Sequence, residues 1–190
     1  SGAGRPFLVD RVSFSLRRGE VLGVFGLVGA GRTELLEILF GLHPDRASGT
    51  LAIDGQTVAF RSPADAIASG LALAPEDRKR DGLILPMSVC ANASLPSLHR
   101  TLQGGLIRPR RESAAVTPYI ERFRVKTPSL AQPIGALSGG NQQKIILAKW
   151  LATHPRILLL DEPTRGIDVN TKREIYGFID ELARGGLGLI

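Results

Sequence analysis

"LSGGNQQK", Leu137 to Lys144, decides how the rest of this chain is read. Ser138 can cap a helix beginning near Asn141, and Gly139 and Gly140 leave the first N–H groups of that helix bare. Bare N–H groups at the positive end of a helix make an anion site. Upstream, the chain carries a second one. In "GLVGAGRTELLEILFG", Gly26 to Gly41, the pattern Gly26-x-x-x-x-Gly31-Arg32-Thr33 follows the apolar run "VLGVFG" and opens a helix, the context a phosphate loop requires. The glycines Gly26, Gly29 and Gly31 let the backbone curl. The N–H groups of Leu27, Val28 and Ala30 can then turn with theirs toward one phosphate chain, and Thr33 offers a hydroxyl to Mg²⁺. Position 32 departs from the pattern. Arg32 keeps the positive charge of the usual lysine but spreads it over a planar fork, so phosphate binding is expected to survive better than placement of the terminal phosphate.

Downstream, "ILLLDE" supplies what a phosphate loop needs as its counterpart. Ile157 to Leu160 read as a buried strand that delivers Asp161 to its tip, where a carboxylate would hold Mg²⁺. Glu162 would orient or polarise an attacking water and is the candidate catalytic residue. Each piece alone has a plainer reading: a glycine-rich turn without ligand, or a core strand ending in acidic cap residues. Together they describe one site. The "LSGG" cradle is then surplus, because one domain needs two phosphate cradles only if each serves a different nucleotide. A head-to-tail pair, with one domain's phosphate loop facing the other's "LSGG", reconciles them.

The chain has 190 residues and is 43% hydrophobic, enough for one globular domain with a proper core. Its 24 Lys+Arg exceed 18 Asp+Glu by six. The basic residues fall in short clusters, Arg78 to Arg80 and Arg108 to Arg111, and the chain is only 5% aromatic. A single-strand binder interleaves stacking rings with its basic residues, so no nucleic-acid partner is expected and the clusters read as solvated surface. One cysteine, Cys90, leaves no internal disulfide. No apolar run approaches the roughly 18 residues that span a bilayer, and the chain reads as soluble and cytosolic. Its ends, "SGAG" and "GGLGLI", read as cut from a longer polypeptide.

"FLVDRVSFSL", Phe7 to Leu16, has the period-two pattern of a strand, and "VLGVFG" is expected to be another. Asp54-Gly55 closes a hairpin between "TLAIDG" and "QTVAF". Ser62-Pro63 caps a short helix, and "LALAP" reads as a strand. From about Gly82 to His154 the pattern is helical, with Val116, Tyr119, Ile120 and Phe123 on one face. After "RILLLDEP" a last helix presents Ile175, Phe178, Ile179 and Leu182 on one side. The outline is a sheet domain interrupted by a helical insertion and then resumed.

These motifs resemble the ATP-binding cassette (ABC) ATPases. "GLVGAGRT" looks like the Walker A loop, "LSGGNQQK" like the family signature, "ILLLDEPT" like Walker B with its glutamate, and "RGID", ending at Asp168, like the D-loop. The resemblance implies an α/β fold: a P-loop ATPase core with an antiparallel β subdomain and an inserted α-helical (signature) subdomain. Residues 1–83 would form the first part of the core with the β subdomain, 84–154 the helical subdomain, and 155–190 the resumed core. It implies ATP and Mg²⁺ as ligands, with Ser138, Gly139, Gly140, Asn141 and Asp168 serving a sister cassette's ATP.

"PEDRKRDGLILPMSVCANASL", "LSGGNQQK" and "DEPTRGIDVNTKREIY" are more narrowly similar to the second cassette of the two-cassette ATPases of bacterial monosaccharide importers. That resemblance implies a sister N-terminal cassette in the same polypeptide, transmembrane permease subunits and, indirectly, a periplasmic sugar-binding protein. It also implies a peripheral place on the cytoplasmic face of the inner membrane. Glu76 stands where most cassettes carry a glutamine that touches Mg²⁺ and the membrane subunit. This extra carboxylate would repel phosphate, and Arg78 or Lys79 is expected to offset it. Phe7 is the candidate for stacking on adenine. Trp150 and Cys90 read as core, and His43, His99 and His154 lack partners at metal-ligand spacing. Two rival readings carry different functions. One is a regulatory cassette that binds ATP without turning it over, favoured by Arg32 and Glu76. The other is a soluble ABC ATPase acting on ribosomes or DNA, disfavoured because the motif spacing leaves no room for an inserted arm.

Overall fold

The computed structural model describes residues 9–190. Helix α1 (Arg32–Leu39) follows the glycine loop directly. Strands β1 (Leu51–Ile53) and β2 (Gln56–Val58) pair antiparallel through a two-residue turn, with Asp54 at φ 49° and Gly55 at φ 79°. Two positive φ values match the twist of a tight hairpin. Asp54 accepts from Arg156 at 2.6 Å and Arg18 at 3.1 Å, which ties the turn to the body of the molecule. Ser62 caps α2 (Pro63–Ala68) by accepting from the Asp65 N–H. Then β3 (Leu71–Ala74), fully buried, runs into the segment that contains Glu76.

The helical part comprises α3 (Val89–Ser94), α4 (Pro109–Arg122) and α5 (Gly139–Leu151), packed on one another. Between α3 and α4 a small hairpin, β4 (Leu102–Gln103) with β5 (Leu106–Ile107), breaks the helical pattern at Gly104-Gly105. The expected face of α4 is the one that packs: Val116, Ile120 and Phe123 are buried, and the Phe123 ring meets Phe178 edge-on at 4.9 Å. Helix α5 is buried on nearly every side, with Gln142, Gln143, Lys144 and Lys149 buried among its apolar residues, so its sequence shows no single apolar stripe. Asn92 is buried within α3. Its amide donates to the Ile84, Met87 and Ser88 carbonyls and accepts from the Ile84 N–H, pinning the loop before the helix.

The chain then returns through β6 (Ile157–Leu160), α6 (Val169–Arg184) and β7 (Gly188–Leu189). The main sheet has the order β3-β6-β7 and is parallel, with Leu71 beside Ile157 and Leu158 beside Leu189. Strand β3 comes from before the helical part and β6 from after it, so the sheet joins the two. Beyond β7 the Leu22 N–H donates to the Leu189 carbonyl at 2.8 Å.

Two expected strands are not formed as expected. The run Val21–Gly26 makes one parallel bridge, at Val21, and residues 9–16 form no strand; Phe7 and Leu8 lie outside the described residues. Alternating side chains become a strand only where a neighbouring ladder takes the backbone groups. Past Leu22 no ladder among the described residues does so, and Phe25 is 94% exposed. Among the described residues no helix is long and apolar enough to cross a membrane.

Candidate functional site

Gly29 and Gly31 both sit at φ 82°, a conformation in which a Cβ is strained. Between them the Ala30 N–H closes a turn on the Leu27 carbonyl at 3.0 Å. Gly31 has no side chain with which to cap α1, and the first helical bond is from the Leu35 N–H to its carbonyl. The N–H groups of Arg32, Thr33 and Glu34 therefore point out of the helix start unclaimed by the helix. The loop leading to it is exposed, Leu27 and Val28 at 86% and 99%.

The tip of β6 meets this helix start. The Asp161 N–H donates to the Ala74 carbonyl at 2.9 Å, which holds Asp161 at the carboxyl end of the parallel sheet, where open α/β sheets bind ligands. Thr33 Oγ1 donates to Asp161 Oδ2 at 2.7 Å and lies 3.5 Å from Glu76 Oε2. Asp161 is 6% exposed, and burial pushes its carboxyl above the ordinary range while the Thr33 hydroxyl pulls it back. Glu162 follows at φ 43°, a left-handed turn rare for a side-chain-bearing residue and common at functional sites. Its carboxylate accepts from Arg32 Nη2 at 3.0 Å.

Glu76 is paired with Arg165, not with Arg78 or Lys79. The expected offset of its charge is present, but a different residue supplies it. Arg78 instead turns to the carbonyls of Arg165 and Gly166, at 2.9 and 3.4 Å. The space in front of these groups is a cavity of about 850 Å³, walled by Thr33, Glu76, Asp161 and Arg165 and floored by Phe40 and Trp150. Those two rings meet edge-on at 5.5 Å, and Trp150 is core, as expected.

The donor set suits Mg²⁺ held together with a phosphate chain. Thr33 Oγ1 and Asp161 Oδ2 are close enough to share one octahedral ion, which keeps most of its positions for water and phosphate. Among the described residues no three His, Cys, Asp or Glu converge as a self-sufficient metal site. His43 pairs with Glu37 at 2.7 Å and His154 faces Tyr119.

Ser138, Gly139, Gly140, Asn141 and Asp168 form a second grouping. Ser138 caps α5 and accepts from the Asn141 N–H and, at 3.0 Å, from its side-chain amide. Asn141 Oδ1 accepts from the Lys126 N–H at 2.8 Å. Asp168 caps α6 by accepting from the Thr171 N–H and hydroxyl, which hold its carboxyl below the ordinary range. Thr171 also packs on Gly140: a Cβ there would come within 2.7 Å of Thr171 Cγ2. The starts of α5 and α6 are thus adjacent. Arg165 and Thr171 were not picked out from the sequence; the Glu76 carboxylate signalled that a cation should offset it, but not which one.

A family model described as "ABC transporter" matches residues 9–165. The chain is 59% identical over 184 residues to the ribose import ATP-binding protein RbsA of Rhodopirellula baltica. That match takes in 97% of this chain and 36% of the relative. It is 49% identical to ribose import ATP-binding protein RbsA 3 of Rhizobium etli, over 94% of this chain and 35% of the relative. The chain thus spans about a third of the length of these curated relatives. Among solved structures it superposes on a nucleotide-free ATP-binding cassette from an ABC transporter with a TM-score of 0.79 at 19% identity, covering 98% of this chain and 75% of that one. A dimeric ATP-binding cassette in a post-hydrolysis state with ADP and Pi gives 0.80 at 21% identity, covering 100% and 81%. At such identities the structural likeness establishes the fold, that of a P-loop α/β ATPase cassette.

Proposed function

The chain belongs to the ABC transporter family, and on that premise we propose that it is a nucleotide-binding cassette coupling Mg-ATP binding and hydrolysis to monosaccharide uptake. The observation that carries this is the Thr33–Asp161 contact of 2.7 Å, which brings the start of the phosphate-loop helix to the tip of β6. In this reading residues 1–83 and 155–190 make the ATPase core and residues 84–154 the helical subdomain. The curated relatives are ribose import proteins about three times as long as the aligned stretch. We therefore take the partners to be a sister cassette in the same polypeptide, permease subunits and, through them, a periplasmic sugar-binding protein. The place of action is the cytoplasmic face of the inner membrane.

The chain's own residues divide the work. The N–H groups from Gly26 to Thr33 bind the phosphates, and the positive end of α1 adds to their pull. Thr33 and Asp161 would hold Mg²⁺, which would neutralise charge on the phosphate oxygens. Glu162 would orient the water, but here its carboxylate is claimed by Arg32. The cassette's own site is accordingly proposed to bind nucleotide and hydrolyse it poorly. Ser138 to Asn141 and Asp168 complete the sister's site instead. In the full-length polypeptide, Ser138→Ala or Gly139→Val is expected to cost more ATPase activity than Arg32→Ala. Equal losses would end the asymmetry.

The Arg32–Glu162 pair also favours a second reading, a cassette that binds ATP and regulates without turnover. Single-turnover assays decide between the two. If Ser138→Ala leaves all ATP cleavage by the full-length protein intact, the regulatory reading is preferred.

A further inference from the structure

The stretch "EDRKRDG", Glu76 to Gly82, is fastened at both ends. At its start Glu76 pairs with Arg165, and Asp77 accepts from the N–H groups of Lys79 and Arg80, winding Arg78–Gly82 into a π-helical turn. At its end the Gly82 carbonyl accepts from the buried Lys149 Nζ of α5 at 2.8 Å. Gly82 packs so closely that a Cβ would come within 2.8 Å of Ile146 Cδ1. Between these anchors Arg78 points inward. Its Nη1 and Nη2 donate to the Arg165 and Gly166 carbonyls, in the loop that leads to Asp168. The same Nη2 would lie 2.8 Å from a Cβ on Gly139, the first residue of α5. A glycine is what allows the guanidinium this close.

Arg78 makes no ion pair among the described residues, and its Nε is buried without a partner. A fixed positive fork beside the positive end of α5 is unfavourable on its own and becomes favourable when an anion reaches that helix start. A planar, always-charged fork holds two carbonyls at a fixed separation, whereas the donors of an ammonium all sit on one atom at the end of a flexible stem. We propose that Arg78 is a positioning residue. It holds the Arg165–Asp168 loop at a set distance from the start of α5, so that Ser138–Asn141 and Asp168 meet a second cassette's nucleotide as one surface. This rests on the reading of Ser138–Asn141 as serving that nucleotide.

The test uses the full-length two-cassette protein with its permease, comparing Arg78→Ala, Arg78→Lys and, as a control on the underlying reading, Ser138→Ala. Arg78→Ala is expected to lower kcat about tenfold with KM within about twofold, the signature of lost transition-state placement. Amide exchange across residues 164–168 should rise about tenfold while Gly26–Thr33 and Leu71–Ala74 keep their protection. Arg78→Lys should recover less than about half of the lost rate. An unchanged kcat in Arg78→Ala overturns the proposal. So does exchange that rises throughout the molecule, which would mark a merely structural role. Loss in Ser138→Ala without loss in Arg78→Ala overturns the strut alone. No loss in Ser138→Ala overturns the two-site reading, and the strut with it.

Discussion

Arg32 Nη2 donates to Glu162 Oε1 at 3.0 Å, joining residues 130 apart in the chain across the mouth of the candidate site. The side chains are 29% and 38% exposed, so the pair is partly screened by water. A double-mutant cycle of Arg32→Ala and Glu162→Gln, read by chemical unfolding, should return a coupling of about 0.5–1 kcal/mol that weakens with salt. Arg32→Lys removes the fork, and a compact ammonium is drawn to phosphate instead. Single-turnover cleavage at this cassette's own loop should therefore rise. A fall would mean that the guanidinium itself helps the chemistry.

Gly140 is buried where α5 begins, and a Cβ on it would lie 2.7 Å from Thr171 Cγ2 and 2.8 Å from Thr171 Oγ1. Thr171 is in α6 and bonded to Asp168, so it cannot simply swing away. Gly140→Ala is expected to destabilise the fold by about 1–3 kcal/mol through overpacking. Adding Thr171→Ala removes both clashing atoms, so the double variant should be less destabilised than the sum of the two singles. Additive losses in thermal unfolding would show that α5 and α6 are not in register through this contact.

Local signals were legible in the sequence. Asp54-Gly55, the Ser62-Pro63 cap, the Ser138 cap and the buried faces of α4 and α6 each rest on residues within a few positions of one another, and each stands in the structure as read. The strand over Val21–Gly26 was not reliably legible, because its ladder is set by Leu189, far along the chain. The site was legible in its motifs and not in its pairings. Nothing near Glu76 distinguishes Arg165 from Arg78 as its partner, since both are arginines and only the fold chooses. Likewise Arg32 was readable as a departure from the usual lysine, whereas its hold on Glu162 depends on β6 ending beside α1.

Asp161 carries two opposed influences: burial raises its pKa and the Thr33 hydroxyl lowers it. Thr33→Val keeps the shape and removes the donor, so the Asp161 carboxyl should titrate higher still, measured by carboxyl ¹³C chemical shifts. The sign of the linkage follows. A folded-state pKa above the unfolded value means that the native protein keeps this proton longer. Asp161 therefore favours folding below its ordinary range, and that contribution is lost as pH rises through the raised value. Thr33→Val should extend this loss to higher pH, and the same change should weaken Mg-ATP binding in calorimetry. An unshifted Asp161 resonance would show that the 2.7 Å contact is not maintained in solution.

Lys149 is 9% exposed on α5, with the Gly82 carbonyl as its hydrogen-bond acceptor and the Trp150 ring 5.3 Å away. Burial lowers its pKa from 10.5 to about 8. Below about pH 8 folded and unfolded chains both carry the proton, and the cost of burying the charge is present in full. Between that value and the unfolded one the unfolded chain binds more protons, so stability from this group rises with pH. Lys149→Met lacks the titration, and subtracting its unfolding free energy cancels every other group that titrates in the window. The wild-type protein should gain about 1–3 kcal/mol on Lys149→Met between pH 7 and pH 10. A difference that stays flat with pH would mean that the ammonium keeps its proton throughout, held by the carbonyl and the indole face more strongly than burial opposes it.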